Sequence, residues 1–219
     1  DPVLLAAAVP ARPGQSVLEL GCGAGVALLS LGKRVPELAL NGVERQPDYA
    51  ELARRNAAEN GLQAAITEAD LTALPPALRQ GFDHVMANPP YYRPGSPAAR
   101  DSGRDQALRE ETPLAQWVEA GLRRVKPAGH LTMIHLADRL PEILCALIGK
   151  AGIMVRPLTP RMGREAGRVL VLAKKGGRAP FRLLAPLVLH EGASHQGDRD
   201  DFSPEARAVL RDGQALPWS

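Results

Sequence analysis

The most pointed chemistry in this chain sits in four consecutive residues, Asn88-Pro89-Pro90-Tyr91. They follow Phe82 to Ala87, a short apolar run that reads as a buried strand. Two prolines in a row neither continue a sheet nor open a helix in the ordinary way, so they make a stiff shelf at the strand's carboxyl end. In open α/β sheets that edge is where ligands bind. The amide oxygen of Asn88 and the backbone carbonyl of Pro89 are both hydrogen-bond acceptors. Together they can take the two hydrogens of an NH2 group while the Tyr91 ring stacks on a flat substrate. A proline-rich turn that only reverses the chain explains the same letters, and the stretch alone does not choose between the two.

Upstream, Ser16-Val17-Leu18-Glu19-Leu20 reads as a strand, and Val26 to Leu31 as a buried helix. Between them lies Gly21-Cys22-Gly23-Ala24-Gly25. Strand, glycine loop, helix is the opening of a Rossmann-type unit, because glycines let the backbone turn tightly and approach a ligand. The spacing is G-x-G-x-G after Glu19, not the dinucleotide G-x-G-x-x-G. A tight turn without a ligand therefore stays open. Cys22 reads as a small filler, with no histidine beside it in sequence to make it a nucleophile. A second strand, Leu38 to Glu44, ends in an acid 19 positions after Gly25. That is near the spacing at which a carboxylate meets ribose hydroxyls. It would accept both O–H groups of a diol and repel a phosphate; a solvated strand-end glutamate is the alternative. Asp70 follows a third strand, 64–67. It is placed to accept from an adenine amino group, or equally to cap the next turn.

These groups need a frame, and the rest of the chain supplies one. Its 219 residues, 45% hydrophobic, suffice for one sizeable core, expected to form a single domain over 1–219. Only 4% are aromatic, so that core is mostly Leu, Val and Ala. A net charge of +3 permits a nucleic-acid partner without demanding one. Cys22 and Cys145 suggest no disulfide framework and fit a reducing, cytoplasmic compartment. With two cysteines and scattered histidines there is no metal-ligand spacing. Val3 to Val9 is too short to span a bilayer, and no charged, cleavable leader precedes it.

Helices are expected over 1–9, 47–60, 114–125, 140–151 and 203–211, with Thr112 as N-cap and Pro113 at the first position of the third. Strands are expected over 130–136, 153–156 and 169–173. An added strand is expected within 181–189, part of a C-terminal extension over 176–219. Residues 93–111, polar and rich in Pro, Gly and charge, read as a long substrate-side loop. Strands alternating with helices and ending in a hairpin-like pair give an α/β, Rossmann-like three-layer sandwich. Its sheet is mostly parallel and seven-stranded, with an antiparallel last strand.

In order and position, Glu19 to Gly25, Glu44, Asp70 and Asn88 to Tyr91 resemble the class I S-adenosylmethionine-dependent methyltransferases. Within that class the chain is most similar to the bacterial tRNA-valine adenine-37 N6-methyltransferases. Residues 1–5, 88–92, 104–117 and 187–210 carry that likeness. The resemblance implies S-adenosylmethionine as cofactor, held by Glu19, Gly21, Cys22, Gly23, Gly25, Glu44, Arg45, Asp70, Leu71 and Asn88. It implies that Asn88, Pro89 and Tyr91 present the target nitrogen. RNA, most of all tRNA near the anticodon, is the implied partner, with no metal and no membrane. Family members carry further residues before the position of Asp1, and alanine is common where Cys22 stands. A guanine-N2 methyltransferase of ribosomal RNA and a protein-glutamine methyltransferase share the N-P-P-Y chemistry and are the rival readings. An NAD-dependent oxidoreductase would need a hydride-site residue that nothing here suggests.

Overall fold

The structure, a computed structural model, describes residues 1–91, 112–192, 194 and 200–219. The loop expected at 93–111 lies outside the described residues. Among the described residues nine strands form one sheet: β1 Ser16–Leu20, β2 Ala39–Glu44, β3 Ala64–Glu68, β4 Phe82–Ala87, β5 Val125–Leu136, β6 Ala151–Thr159, β7 Arg168–Lys175, β8 Arg182–Leu183 and β9 Leu187–Val188. The order is β3-β2-β1-β4-β5-β7-β6, with β8 and β9 both added to β6. Strands β1 to β5 pair in parallel. β7 runs antiparallel to both neighbours. It is last of the seven in sequence but inserts between β5 and β6, because the short link from β6 folds it straight back onto the sheet.

Helices α1 Pro2–Ala8, α2 Val26–Arg34, α3 Pro47–Glu59, α4 Leu114–Arg124, α5 Leu140–Leu147 and α6 Pro204–Leu210 cover the sheet. Alternation along the buried strands sorts side chains to its two faces. Leu18, Leu20, Val85 and Ala87 pack against α4 and α5. Val17 and Met86 point the other way, against α1 and α2. α3 starts at Pro47, whose fixed φ suits a first helical position, and stops at Asn60 before Gly61 at φ 63°. Ser203 caps α6, its Oγ accepting from Ala206 N–H at 3.1 Å.

Three local expectations are corrected. Pro113, not Thr112, is the N-cap of α4, because its ψ of 140° is extended. The strand expected over 130–136 begins earlier, at Val125, and takes Pro127-Ala128-Gly129 into β5, where a register shift between Phe82 and His84 of β4 absorbs them and Ala128 takes φ 62°. The apolar stretch 181–189 makes two two-residue strands in place of one. The tail returns across α1: Leu216 N–H donates to Ala7 C=O at 2.8 Å and the Trp218 indole to Ala8 C=O at 2.7 Å. Among the described residues no helix is long and apolar enough to cross a membrane.

Candidate active site

The chain leaves β1 for β2 and β3 on one side and returns to place β4 on the other. The crevice at such a reversal, beyond the carboxyl ends of the strands, is the ligand position of open α/β sheets. Register brings the key loops together there: Leu20 pairs with Ala87 and with Val43. Gly21, Glu44 and Asn88 each follow or end one of those strands.

The glycine loop is shaped by left-handed backbone at Gly21, Gly23 and Gly25, with φ of 66°, 52° and 84°. Gly21 is doubly required, because a Cβ there would stand 2.6 Å from Cη2 of Trp117. At Gly23 a Cβ would meet nothing within 4 Å. The backbone is thus bare against Trp117 at one end of the loop and against open space at the next glycine.

Glu44 is 7% exposed and organises this loop. Its Oε2 accepts from Gly23 N–H and its Oε1 from Gln46 N–H, both at 2.8 Å. Each oxygen keeps a further lone pair. Asp70 takes the capping geometry weighed above: its Oδ1 accepts from Thr72 N–H at 2.7 Å and Thr72 Oγ–H at 2.6 Å. Those bonds hold its carboxyl below the ordinary value, against a smaller opposing effect of burial. It lines the same pocket as Glu44.

Glu19 faces away from the pocket. Strand alternation puts it on the α2 side with Val17, where its Oε2 accepts from Leu28 N–H at 2.9 Å. Burial drives its carboxyl well above the usual range. Cys22 is buried with its sulfur against Gly42, where a Cβ would come within 2.9 Å of it. Burial and the nearby Glu19 and Glu44 push the thiol upward, so it is a packed filler with no thiolate character.

On the β4 side, Pro89 is buried and Asn88 half-buried. The Tyr91 hydroxyl lies 2.9 Å from Asn88 Oδ1 and 2.8 Å from Asp1 Oδ2. The ring of His135 meets the Tyr91 ring edge-on, centroids 5.3 Å apart. His135 Nδ1 accepts from Leu136 N–H at 2.9 Å, which puts the proton on Nε2, 3.3 Å from the Pro90 carbonyl. His135 thus braces the Pro-Pro shelf.

One pocket collects Gly21, Gly23, Glu44, Arg45, Asp70, Leu71 and Asn88. Glu19, Cys22, Gly25, Pro89 and Tyr91 lie outside its lining, though the first three shape the loop and the last two fix Asn88. The sequence reading missed Gln46, Tyr49, Pro90, Thr112 and Trp117, which also line it. Gln46 and Tyr49 carry the signal of their place, just after Glu44 at the entry to α3. Trp117 reads in sequence as one more apolar helix position. Its indole N–H is buried with no acceptor among the described residues.

The methyltransferase small domain family matches residues 2–102. Among curated relatives, a tRNA1(Val) (adenine(37)-N6)-methyltransferase from Yersinia enterocolitica is 36% identical over 97% of this chain and 83% of its own length. The chain belongs to the tRNA1(Val) (adenine(37)-N6)-methyltransferase family. Among solved structures, a protein from Agrobacterium tumefaciens described as a predicted O-methyltransferase superposes with a TM-score of 0.80. It is 28% identical, and the match covers 99% of this chain and 98% of that one. TrmN from Thermus thermophilus matches at a TM-score of 0.52 and 25% identity, over 76% of this chain and 46% of its own. Membership of the family implies S-adenosylmethionine as the cofactor, a ligand with a purine, a ribose diol and an amino-acid tail.

Proposed function

We propose that this chain transfers the methyl group of S-adenosylmethionine to the exocyclic N6 amino group of an adenine in tRNA. The base is the one that the relatives' name specifies, adenine 37 of tRNA1(Val). The observation that carries the reading is the convergence of Glu44, Asp70 and Asn88 on one pocket, each from the end of a different strand. The residues fit the cofactor. The unused lone pairs of Glu44 suit ribose hydroxyls, the bare Gly23 leaves room for the ligand, and the indole N–H of Trp117 is a donor without an acceptor among the described residues.

When bound, the cofactor supplies an electrophilic methyl on a sulfonium. Glu44, already aimed by its two backbone bonds, would hold the diol. Asp70 would accept from the adenine of the cofactor, with Arg45 and Leu71 in the same pocket lining. An exocyclic adenine nitrogen is a poor nucleophile because its lone pair is spread into the ring. Asn88 Oδ1 and the Pro89 carbonyl take its two hydrogens, favour a pyramidal nitrogen and aim the lone pair. The same two dipoles stabilise the positive charge that grows on nitrogen. In-line positioning does the rest. The proton leaves to water, so no strong base is needed. Both nitrogens of His135 are already engaged, which makes it a brace and not that base.

Paired acceptors favour an amine over an alcohol. A hydroxyl has one proton and would leave one acceptor unmatched. An anticodon-loop base is already unpaired, so splaying it into the pocket costs little. The reading places the enzyme with tRNA in the cytoplasm. Methyl transfer from labelled cofactor to unmodified total tRNA, followed by nucleoside analysis, tests it. N6-methyladenosine is expected; N2-methylguanosine, or label in protein glutamine, would replace the reading with a rival.

A further inference from the structure

The hydroxyl of Tyr91 has more acceptors than protons. It lies 2.8 Å from Asp1 Oδ2 and 2.9 Å from Asn88 Oδ1. Asp1 Oδ2 also accepts from Arg168 Nε at 2.8 Å. The Arg168 guanidinium carbon stands 5.9 Å from the centre of the Tyr91 ring. A phenol carries one proton and can donate it once. A carboxylate held by a guanidinium is the better taker, since charge-assisted hydrogen bonds are about twice as strong as neutral ones. Burial meanwhile pushes the phenol's pKa up, so it stays protonated. The Tyr91 proton therefore goes to Asp1, and the Tyr91 oxygen turns lone pairs toward Asn88.

Two lone-pair oxygens 2.9 Å apart repel one another. The relief is simple. An amide's oxygen and NH2 are nearly isosteric, and a half-turn exchanges them. We infer that Arg168, Asp1 and Tyr91 are positioning residues that set the polarity of the Asn88 amide, its NH2 donating to the Tyr91 oxygen and its oxygen turned to the pocket. The inference rests on Asn88 as acceptor of the target amino group. Polarity is what matters there. An amide turned the other way would present NH2 to NH2, donor against donor, and transfer would fail.

Topology explains why such distant residues meet. Asp1 and Arg168 are 167 positions apart. Arg168 opens β7 at the carboxyl edge of the sheet because β7 runs antiparallel. Asp1 is the N-cap of α1, and the β4 loop lies between them.

Two readouts test the chain of contacts. The first is nuclear magnetic resonance of protein labelled with 15N at asparagine, where Asn88 is separable from Asn41, Asn56 and Asn60. One Asn88 side-chain proton should be shifted downfield and slow to exchange. Tyr91→Phe should abolish that signature and Asp1→Ala should weaken it. An unchanged signature in Tyr91→Phe overturns the inference. The second is single-turnover methylation of unmodified tRNA. Tyr91→Phe should slow transfer about tenfold with cofactor affinity unchanged. In an Asn88→Ala background the same change should do nothing further, because its effect runs through the amide. Additive losses, or a rate that falls in step with melting temperature, would overturn it. A wild-type chain silent on tRNA with the resonance signature intact refutes the functional reading and keeps the positioning role.

Discussion

Removing the Glu44 carboxylate should cost more than its contacts to a ligand, because the group already holds the loop. Its two oxygens accept from Gly23 and Gln46 N–H, each at 2.8 Å. Glu44→Ala leaves both donors facing a hole. A fully buried orphan donor costs about 1–3 kcal/mol, and water entering from the pocket will recover part of that. Melting temperature of the cofactor-free protein should therefore fall modestly. Cofactor binding should fall much further. Charge-assisted bonds to the two ribose hydroxyls are worth about 1.5–3 kcal/mol each, so their loss weakens Kd by roughly two to four powers of ten. Glu44→Gln separates shape from charge. Its oxygen satisfies one backbone N–H, but its NH2 confronts the other. Binding should drop nearly as far as in the alanine variant despite the matching size. Isothermal titration with S-adenosylhomocysteine, beside calorimetry of the free protein, measures both. If Glu44→Ala binds like wild type, the carboxylate makes no ligand contact. If the loss in binding equals the loss in stability, it is only a brace for the loop.

Three further outcomes follow from neighbouring groups. Asn88→Ala should cut single-turnover methyl transfer about a hundred- to a thousand-fold, the usual cost of one preorganised dipole, while titration shows unchanged cofactor affinity; near-normal turnover would make the shelf a structural turn. Burial raises the folded-state pKa of Glu19 above its ordinary value of 4.5, against the Leu28 N–H bond and with Glu44 adding to the rise. The stability it contributes is therefore full below that value and is lost as pH rises through the folded value. Glu19→Gln keeps an acceptor for Leu28 and removes the titration, so melting temperature should depend less on pH and exceed wild type on the alkaline side; parallel curves across roughly pH 4–9 would refute this. Iodoacetamide should label exposed Cys145 and spare Cys22, and equal labelling of the two would show that the glycine loop opens.

Much of the frame was legible because its signals are local. Pro47 and Asn60-Gly61 punctuate α3, Ser203 caps α6, and the short apolar runs before Gly21 and Asn88 are buried on both faces, as parallel strands are. The order of motifs along successive strand ends, together with the family likeness, named seven of the residues that line the candidate pocket. What local signals lack is direction. Glu19 and Glu44 are both acids at strand ends, yet pleating turns Glu19 to the α2 backbone and the end of β2 turns Glu44 into the loop. Trp117 looks like any apolar helix position until the bare backbone of Gly21 meets its ring. The bulge that keeps 127–129 inside β5 depends on pairing with β4 and not on Pro127 or Gly129 themselves. The contact of Asp1 with Tyr91 and Arg168 needs β7 to insert between β5 and β6; its antiparallel direction was expected from the sequence, its place in the sheet was not.

The central claim is that the N-P-P-Y shelf presents an adenine amino group to the methyl donor. The most direct test is single-turnover methylation of an unmodified tRNA1(Val) transcript and of the same transcript carrying guanine at position 37. One methyl group on N6 of adenine 37 in the first, and none in the second, is the predicted result. Equal methylation of both transcripts, or a methyl group on a ribose hydroxyl, would contradict it.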